Sequence, residues 1–130
     1  NYQVMTVGQT SGTFLNLFEL TDAAQATMSP SSYILSDDGR EQGAEIAAGA
    51  RRWIVMASTG PSPVLNTTPL SYHVPQACPC THVVTNLSPS TAYQVTITGG
   101  AGGTISATSD AKGVLTFQTD DPGTSAVELH

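Results

Sequence analysis

From residue 70 onward the chain reads "LSYHV" (70–74), "THVVTNL" (81–87), "AYQVTITG" (92–99), "TISATS" (104–109) and "GVLTFQT" (113–119). Apolar and polar residues alternate within these runs, and Gly- or Pro-containing turns cut them at spacings of about ten residues. A period of two sends successive side chains to opposite faces of an extended chain. Turns this close together leave no room for crossover helices, so the segment is expected to fold back on itself as antiparallel strands. Two sheets must then stack to bury one face of each.

The upstream half reads less regularly. "YQVMTV" (2–7) and "TFLNLFEL" (13–20) are expected strands, and "TDAAQATM" (21–28) a short helical turn or loop that Pro30 stops. "SYILSDDGREQGAEIAAGARRWIVMAS" predicts a strand, a tight turn at Asp37-Asp38-Gly39, a second strand near 43–48 and a third at 51–58. In that third strand Trp53, Val55 and Ala57 share one face, with Ile54 and Met56 on the other. "TGPSPVLNTTP" (59–69) is rich in proline and hydroxyl residues; it is expected to be a long connection or an irregular edge segment, the one credible hinge, and it carries Asn66 in a formal glycosylation triplet with Thr67 and Thr68. Residues 120–130 are expected to form a tail or a last strand.

Charge narrows the partners. With 4 basic against 10 acidic side chains, a net charge of −6 and Lys112 as the only lysine, the chain lacks the clustered cations that phosphate backbones require, so nucleic acid is excluded. No apolar run approaches the length of about 18 residues that a membrane span needs. The chain begins at Asn1 without a methionine, which is expected of a processed protein or a piece of a longer one.

"NLSPSTAYQVTI" holds the most specific local signal. Leu87, Pro89 and Thr91 precede Tyr93, Val95 and Ile97 in the same parity. Leu87 is expected to seal the end of the core and Pro89 to fix φ in the turn, while the chain crosses between sheets and enters its strand at Tyr93. The ring would be buried with its hydroxyl bonded to backbone at the crossover. Here "THVVTNLSPSTAYQVTI" resembles the fibronectin type III pattern Leu-x-Pro-x-Thr-x-Tyr-x-Val at the entry to the sixth strand, and "LTFQT" (115–119) is similar to that family's seventh strand. The resemblance covers about residues 70–119. It implies a sandwich in which Trp53 serves as the inner-face tryptophan.

Residues 1–60, from "GTFLNLFEL" through "WIVM", look instead like the C-terminal β-region of secreted polysaccharide lyases of the heparinase II/III type. The Tyr, His and Asn that abstract the proton in such lyases lie largely in a helical domain with no counterpart here, so the resemblance carries over no catalytic residue.

One cluster has metal-ligand chemistry: "SYHVPQACPCTHVV" places His73, Cys78, Cys80 and His82 within ten residues, a donor set suited to copper or zinc. Cys78, Cys80 and His82 point to one side of an extended chain, but Cα steps of roughly 6.6 Å put the outer two about 13 Å apart. Pro75 and Pro79 would have to bend the segment. The alternatives are a local disulfide between Cys78 and Cys80, stabilising on the order of 1.6 kcal/mol before strain, and two thiols with no special role. An extracellular setting favours the disulfide. Asp37-Asp38-Gly39 and Asp120-Asp121-Pro122-Gly123 lack the spaced oxygens of a calcium loop and read as turns. Glu41 and Glu45 read as a polar hairpin edge rather than an acid–base pair.

Together these readings predict one all-β domain over 1–130, an antiparallel β-sandwich of about nine or ten strands, immunoglobulin- or fibronectin III-like. It is expected to be secreted and non-catalytic, with no cofactor. The expected role is a structural or binding module, an accessory domain of an extracellular carbohydrate-active protein whose partner is a polysaccharide or a neighbouring domain. The alternatives are a metal or redox protein built on the His/Cys cluster, and a homo-oligomer or fibre subunit that pairs through the edge strand "YQVMTV" or "AVEL".

Overall fold

The computed structural model describes residues 2–5, 15–18, 29–48, 50–59, 69–74, 78–99, 102–121 and 125–130. The expected hinge falls almost wholly outside them, as do Asn66 and the helical turn expected at 21–28. Among the described residues the chain is all β. In order, the strands are β1 (Tyr2–Met5), β2 (Leu15–Phe18), β3 (Ser31–Leu35), β4 (Glu41–Ala48), β5 (Arg51–Ser58), β6 (Leu70–Val74), β7 (Cys78–Val84), β8 (Ala92–Thr98), β9 (Gly103–Thr108), β10 (Leu115–Asp121) and β11 (Ser125–Leu129). β1 and β2 pair with each other, while the remaining strands form a five-stranded sheet, β10-β7-β5-β4-β3, and a four-stranded sheet, β6-β11-β8-β9.

One core joins the two main sheets. From the five-stranded sheet come Ile34, Ile54, Met56, Val84, Leu115 and Phe117; from the four-stranded sheet come Leu70, Tyr72, Val95, Val127 and Leu129. Each set keeps one parity along its strand, which is how a period-two pattern builds a two-layer fold.

Three expectations need correction. The sheets are not purely antiparallel, because β5 and β7 pair in parallel, Ile54 opposite His82. That pairing is open to them because β6 lies between the two in sequence and crosses to the other sheet. Trp53 is not an inner-face residue: it is 43% exposed, whereas Ile54 and Met56 are fully buried. Finally, the tail adds a strand in the middle of its sheet, with β11 held between β6 and β8, so "AVEL" offers no free edge.

The chain from β7 to β10 is a long hairpin bent over on itself. Its inner limbs β8 and β9 lie in one sheet, and its outer limbs β7 and β10 pair in the other. The two limbs stay bonded through the bend: the Leu87 N–H donates to the Gly113 carbonyl (3.0 Å), that of Ser90 to Asp110 (2.9 Å) and that of Ser109 to Thr91 (2.9 Å). One limb spends one residue more than the other between the Ala92–Thr108 and Val84–Leu115 pairs, the count of a β-bulge, which sharpens a bend. Asp110 holds its side of the corner by accepting the N–H groups of Lys112 (2.8 Å) and Val114 (2.9 Å) on one carboxylate oxygen. Tyr93 holds the other. Its ring is 5% exposed and its hydroxyl accepts the Ser88 N–H at 3.0 Å, with Leu87 buried beneath and Pro89 exposed at the turn.

Candidate functional site

The inner face of the five-stranded sheet carries polar groups that the sequence pattern does not flag. Cα pairing aligns Glu45, Ile54, His82 and Phe117 in one row across β4, β5, β7 and β10, and Gly43, Met56, Val84 and Leu115 in the next. Glu41, Glu45 and His82 therefore project into the sandwich, where their exposures are 0%, 1% and 0%. Glu41 and Glu45 are thus core residues and not the polar hairpin edge expected from their character. Gly43 between them is dictated by close approach, since a Cβ there would meet the Val55 carbonyl and the Met56 sulfur.

His82 is the centre of a buried relay. Its Nδ1 lies 2.9 Å from the Tyr72 hydroxyl and its Nε2 3.0 Å from the Thr119 hydroxyl, while its ring stacks on Phe117 at 4.5 Å between centroids. Both ring nitrogens are engaged. Burial disfavours the imidazolium and lowers the pKa to about 4, so the ring is neutral at physiological pH. Tyr72 is pushed well up, first by burial and then by the Glu41 charge. Only Thr119, 6% exposed, approaches the surface, beside a shallow cleft of about 320 Å³ between β9 and β10.

Glu41 is tied down by its backbone and not by its carboxyl group. Its N–H donates to Ser36 Oγ (2.9 Å) and its carbonyl accepts the Ser36 N–H (2.9 Å) across the β3–β4 turn. Neither carboxyl oxygen has a hydrogen-bond partner among the described residues. Burial raises its pKa to about 8, with the Asp38 charge adding to the shift and Arg40 opposing it, so Glu41 is a neutral acid at pH 7. Glu45 differs: one oxygen accepts Arg52 Nη1 at 2.5 Å, a largely buried ion pair at the end of the sandwich.

The expected metal cluster does not converge. His73 is exposed on the outer side of β6, 3.5 Å from an Asp37 carboxylate oxygen, while Tyr72 beside it points inward to His82. His82 has no nitrogen to spare. Cys80 is fully buried and is not a free thiol; Cys78 is described by its backbone alone. Among the described residues no group of three or more His, Cys, Asp or Glu side chains is placed to hold a metal ion. Asp37 and Asp38 do form a turn, with Asp38 accepting Ser36 Oγ and the Arg40 N–H; Asp120 and Asp121 are the last residues of β10, and Pro122 and Gly123 of the other expected turn lie outside the described residues. Among the described residues no helix is long and apolar enough to cross a membrane.

Tyr72 was legible in principle, because "LSYHV" sets it in register with Leu70 and Val74. Glu41, Glu45 and Thr119 were not, since nothing local says that a polar side chain faces the core. Comparison with family models, with curated proteins and with solved structures finds no match to this chain.

Proposed function

We propose that the chain is a non-catalytic structural or binding module of a secreted protein, immunoglobulin- or fibronectin III-like in type, and an accessory domain of an extracellular carbohydrate-active protein. The observation that carries the non-catalytic part of this reading is the burial of His82, Tyr72 and Glu41, each at 0% exposure: these three groups, clustered in the core, are closed off from any substrate. Recognition then falls to the surface. Trp53 is the only tryptophan and stands on the outer face of the five-stranded sheet, in register with Thr81 and Gln118. Thr81 is buried, so the surface offered is the exposed indole with the exposed Gln118 amide two strands away, a pairing that suits the apolar face and a hydroxyl group of a sugar ring. Cys78 and Cys80 complete the reading as a local disulfide, in keeping with an oxidising compartment.

Titration of the Trp53 fluorescence with a panel of neutral and acidic polysaccharides tests the glycan version. Saturable quenching is expected, and Trp53→Ala should abolish the retardation of the parent chain in polysaccharide-containing native gels. Polysaccharide cleavage by the purified chain that disappears in Thr119→Val would overturn the non-catalytic reading, and the absence of quenching across the panel leaves the spacer role alone.

A further inference from the structure

Four strand edges border the two main sheets: β3 and β10 on one, β6 and β9 on the other. Exposed edges normally carry charge, proline or a covering contact that blocks further pairing. β3 and β6 cover each other through the Ser36–Tyr72 bridge, the Asp37 N–H to Ser71 carbonyl bond (2.9 Å) and the Ser71 hydroxyl on the Asp37 carboxylate (2.6 Å). β10 ends in Asp120 and Asp121. β9, Gly103–Thr108, has neither charge nor proline. β10 of the other sheet lies beside it across the cleft lined by Thr104, Ile105, Gln118 and Thr119, but among the described residues no bridge or backbone hydrogen bond joins the two strands.

The direction of its backbone groups follows from the ladder. In an antiparallel sheet alternate residues bond to opposite neighbours. Gln94 exchanges both backbone bonds with His130, next after β11 (3.2 and 3.0 Å), so Tyr93, Val95 and Ile97 bond to β9 through Ala107, Ile105 and Gly103. The N–H and C=O groups of Thr104, Ser106 and Thr108 consequently point away from β8, to the open side.

We infer that β9 pairs antiparallel with β9 of a second copy, about a two-fold axis through Ser106, joining two four-stranded sheets into one. The edge is self-complementary. "TISAT" (104–108) reads nearly the same in both directions, so the axis sets Thr104 opposite Thr108, Ser106 opposite Ser106 and Ile105 opposite Ala107. The three outward-pointing residues become the hydrogen-bonded pairs, and no like charges meet. Ile105 and Ala107, only half-buried in one copy, gain cover from each other. The pairing is isologous and closes at a dimer, unlike the head-to-tail fibre expected from β1 or β11. It is independent of what the module binds. Two copies of net charge −6 repel, so salt should strengthen the contact.

Sedimentation velocity tests it over roughly 10 μM to 1 mM, the range in which an interface this small is populated. A reversible shift from monomer to dimer is expected, larger at high salt. Ser106→Lys, which sets two ammonium groups at the axis, should stay monomeric with an unchanged melting temperature, and Thr116→Lys, exposed on β10 and away from the cleft, should dimerise like the parent chain. Combining Thr104→Glu with Thr108→Lys sets opposite charges across the axis and should lower Kd severalfold. A monomer throughout, a dimer that survives Ser106→Lys, or assembly beyond the dimer overturns the inference. Should Ser106→Lys not fold, the charge-paired variant decides alone, and an unchanged Kd overturns it.

Discussion

Tyr93 and Trp53 show what one residue discloses and what it withholds. The spacing of Leu87, Pro89 and Tyr93 is local information, and the structure returns the buried ring and its hydroxyl bond to Ser88 at 3.0 Å. Tyr93→Phe should therefore cost about 1 kcal/mol in urea denaturation, the worth of one partly buried hydrogen bond. Trp53 was read the wrong way round because both faces of "WIVMA" are apolar: parity says which residues share a face, not which face is inside. Glu41 misled for the opposite reason, since its polarity suggested solvent while its register with Met56 and Ser58 puts it in the core. Its burial has a pH signature. An acid whose pKa rises from 4.5 unfolded to about 8 folded binds more protons when folded, so its contribution falls as pH rises through that interval. A base lowered from 6.5 to about 4, as His82 is, contributes less as pH falls through its own interval. The two trends oppose each other between 4.5 and 6.5. Between pH 6.5 and 8 Glu41 acts alone, and stability should fall by on the order of 2 kcal/mol. Thermal melts should show that decline in the parent chain and lose it in Glu41→Gln.

At the scale of elements, the strands most easily read were those with a turn on each side. β5 at Arg51–Ser58 and β6 at Leu70–Val74 have the expected bounds, and β8 at Ala92–Thr98 differs by one residue. Pairing was less legible, because it depends on contacts distant in sequence: the parallel β5–β7 ladder and the central place of β11 have no local signature. The bent hairpin makes its own prediction at Gly113. That residue has φ +76 and lies against the Leu87 backbone, where a Cβ would collide with the carbonyl. Gly113→Ala combines a left-handed backbone with an unrelieved clash and should cost about 3 kcal/mol by chemical denaturation. Because Gly113 also accepts the Leu87 N–H, amide exchange at Leu87 and Ser90 should quicken in that variant before exchange in β4 or β5 does.

For the molecule as a whole, the two-sheet class followed from the strand rhythm, while the distribution of chemistry did not. A chain with few charges places two glutamates, a histidine and two tyrosines inside and leaves its tryptophan outside. That inversion gives the core a polar relay that fixes how β6, β7 and β10 pack. A relay closed off from water is tested most directly at His82. Its imidazole signals, assigned by their loss in His82→Gln, can be followed by NMR from pH 8 downward. A sealed His82 keeps constant shifts until pH approaches about 4. A midpoint near the ordinary 6.5 would place the ring in water and contradict the buried relay and the non-catalytic reading that rests on it.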